Sequence, residues 1–190
     1  MSKFTRFALY FVIAGAIFAT SNIAHSQARP SPKTQVFSID PVGLILSDPL
    51  LLQYEYKTGP VSSWAFRLAY WGYGIEGQDW TGYGAGAAYR FYVADSRALT
   101  GLSIAPAAEI FFFRGANTSG VGAAKTGIAV EIGGDVGYKW IFDEFSVEPL
   151  LGLRIGLGPS SGTGSTAVPA GVTGVGSKQV VIGLFGGYAM

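Results

Sequence analysis

Residues 128–142 alternate between two kinds of side chain, and this alternation constrains the fold more than any other feature of the chain. One set is apolar or aromatic apart from a single glycine: Ile128, Val130, Ile132, Gly134, Val136, Tyr138, Trp140 and Phe142. The other set carries three charges, at Glu131, Asp135 and Lys139. Successive side chains of a β-strand point to opposite faces. We therefore predict a long strand with one apolar face and one charged face.

Seven further segments alternate in a related way at even spacing, which predicts eight strands in all. Their predicted bounds are 36–46, 50–57, 63–74, 82–93, 101–114, 127–142, 145–158 and 179–190. No apolar stretch after the N-terminal segment approaches the roughly 20 residues that a membrane-spanning helix needs. After the first connection, short and longer connections alternate, as they do in transmembrane barrels. The predicted fold class is all-β, an eight-stranded antiparallel up-and-down transmembrane β-barrel.

A soluble β-sandwich is the alternative, with the charged faces toward water and the apolar faces in a core. Composition favours the barrel, because charged residues make up only 13% of the chain, whereas soluble domains carry about 25%. Aromatic residues also concentrate at one set of strand ends, for example at Tyr54, Trp64, Tyr89 and Tyr138. Amphipathic rings favour the boundary between a bilayer and water. The sequence therefore predicts a girdle of aromatic side chains around a membrane barrel.

The N-terminal segment has the pattern of a secretory signal peptide. Lys3 and Arg6 precede an apolar run over 7–19, and small residues follow. This pattern predicts cleavage after Ala28, with Ser26 as the alternative and an uncleaved signal anchor as the competing interpretation. We expect export across the inner membrane and a location in the cell outer membrane. The predicted organisation is a signal peptide at 1–28, a short periplasmic tail at 29–34 and a barrel domain at 35–190.

Several classes of function are disfavoured by composition. The formal net charge of +1 gives no basis for binding nucleic acid. The chain has no cysteine, and its single histidine, His25, lies in the predicted signal peptide. Serine–histidine and aspartate–histidine hydrolases need a histidine base, so we expect no enzymatic activity. Without cysteine there is no thiolate metal site, and we expect no metal. We expect no cofactor either, since the G-x-G-x-G run at 82–86 lies on a predicted strand with no helix after it and does not fit a dinucleotide-binding motif.

Strand phase assigns charged side chains of both signs to the barrel interior. In a barrel of this size the side chains fill the bore, and buried charges need partners. We predict an ion-pair network that plugs the bore and has a structural role. A charge-selective pore, or a catalytic pair of carboxylates, is the alternative. The predicted network residues are Asp40, Glu55, Lys57, Arg67, Arg90, Glu109, Glu131, Asp135, Lys139, Glu148 and Arg154.

Four aromatic side chains are predicted to face inward near the outer mouth: Trp71, Tyr73, Phe111 and Phe113. They form either a hydrophobic plug or the contacts for a small hydrophobic ligand. The connection from Pro159 to Lys178 is rich in glycine, serine and threonine. It is a candidate contact site for an extracellular partner.

The last five residues, 186–190, are similar to the terminal signal of Gram-negative outer-membrane barrels, although Met190 replaces the usual final aromatic. The segments 39–44, 52–56 and 84–92 resemble the small outer-membrane β-barrel families related to outer membrane protein A. The resemblance implies a monomer that contacts outer-membrane lipid and is recognised by the barrel-assembly machinery through its C-terminal strand. We expect none of the peptidoglycan-binding domain that some members carry. The expected function is structural or surface-interacting, with passive transport or binding of a small hydrophobic molecule as the alternative.

Overall fold

The computed structural model describes residues 33–41, 50–75, 78–93, 97–117, 125–157 and 178–190. Each strand pairs antiparallel with its neighbours in sequence, and the last strand pairs with the first to close a barrel. The predicted all-β, eight-stranded antiparallel barrel is thereby confirmed. The strands are β1 (Gln35–Asp40), β2 (Leu50–Gly59), β3 (Ser62–Ile75), β4 (Gln78–Tyr92), β5 (Gly101–Asn117), β6 (Lys125–Phe142), β7 (Phe145–Gly156) and β8 (Lys178–Ala189). Within the same ranges, no helix is long and apolar enough to cross a membrane.

The two longest strands, β5 and β6, exceed their predicted bounds at the end where their alternation is weakest. They pair without interruption from Gly101 opposite Lys139 to Gly115 opposite Lys125. The backbone ladder therefore continues past the last apolar side chains that identified these strands. Four predicted segments lie outside the described residues: residues 42–46 of the first strand, the signal peptide, residues 29–32 of the tail and residues 159–177 of the last connection.

We name the two ends of the barrel by the strands that meet there. The proximal end holds Gln35, where β1 begins, and Ala189, where β8 ends. It also holds the two-residue turn between β6 and β7, in which Asp143 has a φ of 55°. Aspartate tolerates this left-handed conformation better than most residues, so the turn chemistry fits the tight connection. The opposite end is the distal end.

Burial alternates along the strands with a period of two, and the polar side is the buried one. In β7, Leu153 is 62% exposed, whereas the next residue, Arg154, is 1% exposed. In β3, Leu68 is 60% exposed while the neighbouring Arg67 is buried. The barrel thus has an apolar exterior, and its buried charged side chains lie mostly in its interior.

Trp140 departs from the predicted pattern. The sequence predicts it on the apolar face of β6, and its register does place it on that face, opposite Val147. Its side chain is nevertheless only 9% exposed. The indole ring lies 4.6 Å from the ring of Tyr138, so an aromatic neighbour two residues away covers part of it.

Close packing of neighbouring strands depends on interior glycines. A Cβ atom at Gly133 of β6 would overlap the backbone carbonyl of Leu153 on β7. A backbone atom cannot move aside as the tip of a flexible side chain can. Gly186, on the outward face of β8, has no atom within 4 Å of the position that a Cβ would take.

We expect Gly133→Ala to lower the free energy of unfolding by about 1–3 kcal/mol, the usual cost of overpacking a filled interior. Gly186→Ala is the matched control and should leave stability nearly unchanged. Urea unfolding of both variants, followed by tryptophan fluorescence, measures the difference. Equal stability of the two variants would contradict the close approach of Gly133 to the carbonyl of Leu153.

Candidate functional site

The proximal half of the interior contains a cluster of two cations and two anions. Arg90 of β4 lies between two carboxylates: its Nη1 is 2.9 Å from Glu55 Oε2 and 2.5 Å from Glu148 Oε1. Lys139 of β6 contacts the same two acids, with Nζ 3.1 Å from Glu148 Oε2 and in direct contact with Glu55 Oε2. All four side chains are fully buried. We call this set the proximal ion layer, and its formal charge is zero.

Two hydroxyl groups also donate hydrogen bonds to Glu55. Ser63 Oγ donates a hydrogen bond to Glu55 Oε1, and Tyr92 Oη donates to the same oxygen at 2.5 Å. These residues come from β2, β3 and β4, and each occupies an inward position of its strand. Each oxygen of this carboxylate therefore has polar partners, as a buried charge requires.

A second cluster lies nearer the middle of the bore. Arg67 of β3 reaches Glu109 Oε1 at 3.1 Å and Asp135 Oδ2 at 2.7 Å. Arg154 of β7 binds the same two acids from the other side, at 3.0 Å from Glu109 Oε1 and 2.5 Å from Asp135 Oδ1. We call this set the central ion layer. It also combines two cations with two anions, so it too is neutral.

Gln53 of β2 connects the two layers. Its side-chain oxygen accepts a hydrogen bond from Arg67 Nε at 3.0 Å and another from Arg90 Nη2 at 2.9 Å. Its Nε2 donates to Glu148 Oε2 at 3.4 Å. One neutral amide therefore accepts from a guanidinium of each layer, which makes the two layers one continuous network.

Two more predicted acids, Asp40 and Glu131, are buried in the interior, and neither lacks an interaction partner. Lys57 keeps an inward register on β2, opposite the buried Ser63. Its side chain is only partly buried, and its place in the network stays a prediction. Beyond it, the β2–β3 register shifts between Lys57 and Gly59, at the proximal end of β2. Strand phase alone does not reveal such an irregularity.

Toward the distal end the interior becomes apolar. Phe111 and Phe113 of β5 are buried in a cluster with Ala69 and Ala129, and Leu51 packs against it. The two rings lie over glycines, because a Cβ at Gly84 would overlap Phe111 and a Cβ at Gly127 would overlap Phe113. The cleft beside Phe111 and Arg67 has no space for a water molecule. The cleft next to Phe111 is therefore filled. The side chains of Trp71 and Tyr73 lie outside the described part of the chain, so the ligand pocket stays a prediction.

The arrangement constrains the chemistry that these residues can do. Both oxygens of Asp135 are within 2.7 Å of an arginine nitrogen, and Glu55 has four partners. Carboxylates held this way are poorly suited to accept a proton from a substrate, since substrate would have to displace a cation. In the described ranges, no cluster of three or more acidic side chains or histidines could hold a metal ion. The geometry supports a structural network better than a reaction centre.

Sequence phase identified the charged members of the network but gave no role to three neutral ones. Gln53, Ser63 and Tyr92 all connect charged groups. The signal that could have found them is their phase, since each lies an even number of residues from a predicted inward charge on the same strand.

Comparison of the chain with protein-family models and with curated proteins finds no match.

Proposed function

We propose that the protein is an integral outer-membrane β-barrel with a structural or surface-interaction role, whose bore is closed by the two ion layers. The observation that carries the proposal is the inverted distribution of polarity. Charged side chains are paired inside the barrel, and large apolar side chains cover its outside.

An apolar exterior is the arrangement that lipid favours and water does not. Soluble proteins rarely expose contiguous apolar patches beyond a few hundred Å². Here exposed apolar side chains occur on all eight strands, from Phe37 on β1 to Val180 on β8. A closed barrel also satisfies its backbone hydrogen bonds internally, which is the condition for spanning a bilayer with strands. Most strands have at least ten residues, and a tilted crossing takes about 9–11 residues.

Aromatic side chains on the outside of the proximal end support the same proposal. Trp64 and Tyr89 have ring centroids 5.0 Å apart, and Tyr89 and Phe91 are 4.8 Å apart. Phe37 and Tyr54 lie 5.5 Å apart on the neighbouring strands β1 and β2. Rings of this kind at one level of a barrel are typical of a membrane–water interface. In our proposal the proximal end faces the periplasm, and the distal loops lie outside the cell.

The filled interior favours a non-conducting, non-enzymatic barrel over the alternative of passive transport. Phe111 and Phe113 pack over glycines, and among the described residues the cleft beside Phe111 has no space for a water molecule. In this proposal the barrel is a monomer in contact with outer-membrane lipid. The barrel-assembly machinery recognises its C-terminal strand, and an extracellular partner binds the connection from Pro159 to Lys178.

The closed bore is tested by reconstituting the refolded protein in a planar bilayer. We expect conductance near the background of the bilayer, with an open porin as the positive control. Binding of a lipophilic fluorescent probe should not saturate, and Trp71→Ala and Phe113→Ala should not alter it relative to Phe112→Ala. Phe112 is the matched control, because its ring stacks on Tyr83 outside the barrel. Discrete channel openings, or saturable probe binding that depends on Trp71 or Phe113, would contradict the proposal.

A further inference from the structure

Residues 97–100, which lead into β5, reach into the proximal mouth of the barrel. In the closed ring of strands, the start of β5 lies opposite the seam where β8 meets β1. Leu99 nevertheless packs against Val36 of β1 and Ala189 of β8, and Ile141 of β6 packs on the same cluster. Val36 and Ala189 are completely buried, and Leu99 is 1% exposed. The Leu99 side chain therefore crosses the bore to the far wall.

Backbone hydrogen bonds fasten this segment to its surroundings. Ala98 N–H donates to the carbonyl of Pro60, in the turn between β2 and β3, at 2.9 Å. Thr100 N–H donates to the carbonyl of Arg97 at 2.9 Å, which closes a tight turn around Leu99. The segment is thus hydrogen-bonded to the β2–β3 turn and closed on itself around Leu99.

The backbone conformation of Leu99 is unfavourable by itself. Its φ is 74°, in the left-handed region that leucine rarely adopts, and Gly101 two residues later has a φ of 94°. Such strain persists where the surrounding structure compensates for it. Here the compensation is burial of the leucine side chain in the mouth of the barrel. The strained turn is what aims this side chain inward rather than toward solvent.

The proximal ion layer lies directly behind this apolar contact. Val36 is the Cα partner of Glu55 across β1 and β2, and Lys139 precedes Ile141 by one inward step on β6. Gly101 is the Cα partner of Lys139, and Leu99 lies two residues nearer the proximal end than Gly101. Water that entered the proximal mouth would therefore meet Leu99 before it reached these charges.

We propose that residues 97–100 form an apolar cap, with Leu99 as its plug, that seals the proximal mouth and keeps water and ions from the proximal ion layer. The inference deepens the proposed function, since it rests on a bore that is closed to water. It adds that the barrier has two parts, an apolar seal at the mouth and the ion layers behind it. The cap is a separate segment, so it can be opened without changing any charged residue.

Thiol accessibility tests the cap, because the chain has no cysteine and each introduced thiol is the only one. Ser103 faces the interior two residues after Gly101, and its hydroxyl donates a hydrogen bond to the carbonyl of Gly137 at 3.4 Å. Ala129 faces the interior near the distal end, within the Phe111 and Phe113 cluster. Ser103→Cys therefore reports on the proximal mouth and Ala129→Cys on the distal one. Both are labelled with a small charged methanethiosulfonate reagent in detergent micelles.

We expect the Ser103→Cys thiol to react slowly when Leu99 is present, since a buried group reacts only in an opened state. It should react about tenfold faster or more when Leu99→Gly is added. Ala129→Cys should react at the same rate with and without Leu99→Gly. If Leu99→Gly does not give a folded barrel, Leu99→Asn replaces it, because asparagine accepts the left-handed conformation and places a polar group in the mouth. It should accelerate Ser103→Cys in the same direction.

Three results would overturn the cap. One is unchanged labelling of Ser103→Cys when Leu99 is replaced, and another is equal acceleration of both cysteines, which indicates general loosening. The third is a Ser103→Cys thiol that, with Leu99 present, reacts as fast as a Thr58→Cys thiol at an exposed position. Labelling in micelles does not depend on location in the cell or on any partner. A failed cap therefore remains distinguishable from a failed assignment to the outer membrane.

Discussion

Replacing Arg90 with alanine should lower the free energy of unfolding by about 3–5 kcal/mol, the usual cost of removing one partner from a buried ion pair. Arg90 contacts both Glu55 and Glu148, and all three side chains are fully buried. Its removal leaves Lys139 as the only cation of the proximal ion layer, facing two carboxylates. Urea unfolding of the refolded variant in lipid vesicles, followed by tryptophan fluorescence, gives the value.

Arg97→Ala is the matched control, because Arg97 also lies at the proximal end and its side chain is exposed. We expect its effect to stay within about 0.5 kcal/mol, as for most surface substitutions. Arg67→Ala should resemble Arg90→Ala, since Arg67 is buried and pairs with two acids of the central ion layer. If neither buried arginine matters for stability, water must fill the bore and solvate the remaining charges.

A charge introduced on the outside of the barrel should have an effect of similar size. Leu68 is 60% exposed near the middle of β3, opposite Leu52 on β2 and Ala85 on β4. In a bilayer, Leu68→Arg places a guanidinium near the midplane and should cost about 2–4 kcal/mol of folding free energy. On a soluble barrel the same substitution would be a surface change worth within about 0.5 kcal/mol.

The control is Val61→Arg, in the β2–β3 turn at the proximal end, where the native valine is about half exposed. Near the interface the expected cost is about 0–1 kcal/mol. The informative quantity is the difference between the two variants in vesicles of the same lipid. Equal values for Leu68→Arg and Val61→Arg would show that the apolar exterior does not face a hydrocarbon phase.

The period of two in the sequence accounted for most of the barrel, because alternation of side chains across a strand is a local property of the backbone. It placed Arg67, Arg90 and Arg154 inside the barrel before any pairing was known. It could not show which acid each cation contacts, since that depends on strand register and on side chains from distant strands. The Arg154 contact with Glu109, for example, joins residues 45 positions apart on non-adjacent strands.

Three features were beyond what alternation could predict. The β2–β3 register shifts between Lys57 and Gly59, an irregularity that strand phase does not reveal. Trp140 is covered although its phase is outward, because a side chain on the same face lies against it. Leu99 belongs to a connection, where no periodicity applies, and only the folded structure shows that it enters the mouth of the barrel. Each depends on contacts between segments rather than on a pattern within one.

The location of the protein tests the account most directly. The chain is expressed with its N-terminal segment in a Gram-negative host, and inner and outer membranes are separated on a density gradient. We expect the protein in the outer-membrane fraction, migrating faster in unboiled than in boiled detergent samples, as a barrel that stays folded in mild detergent does. Recovery as a soluble periplasmic protein with no difference on boiling would contradict a barrel whose apolar surface faces lipid.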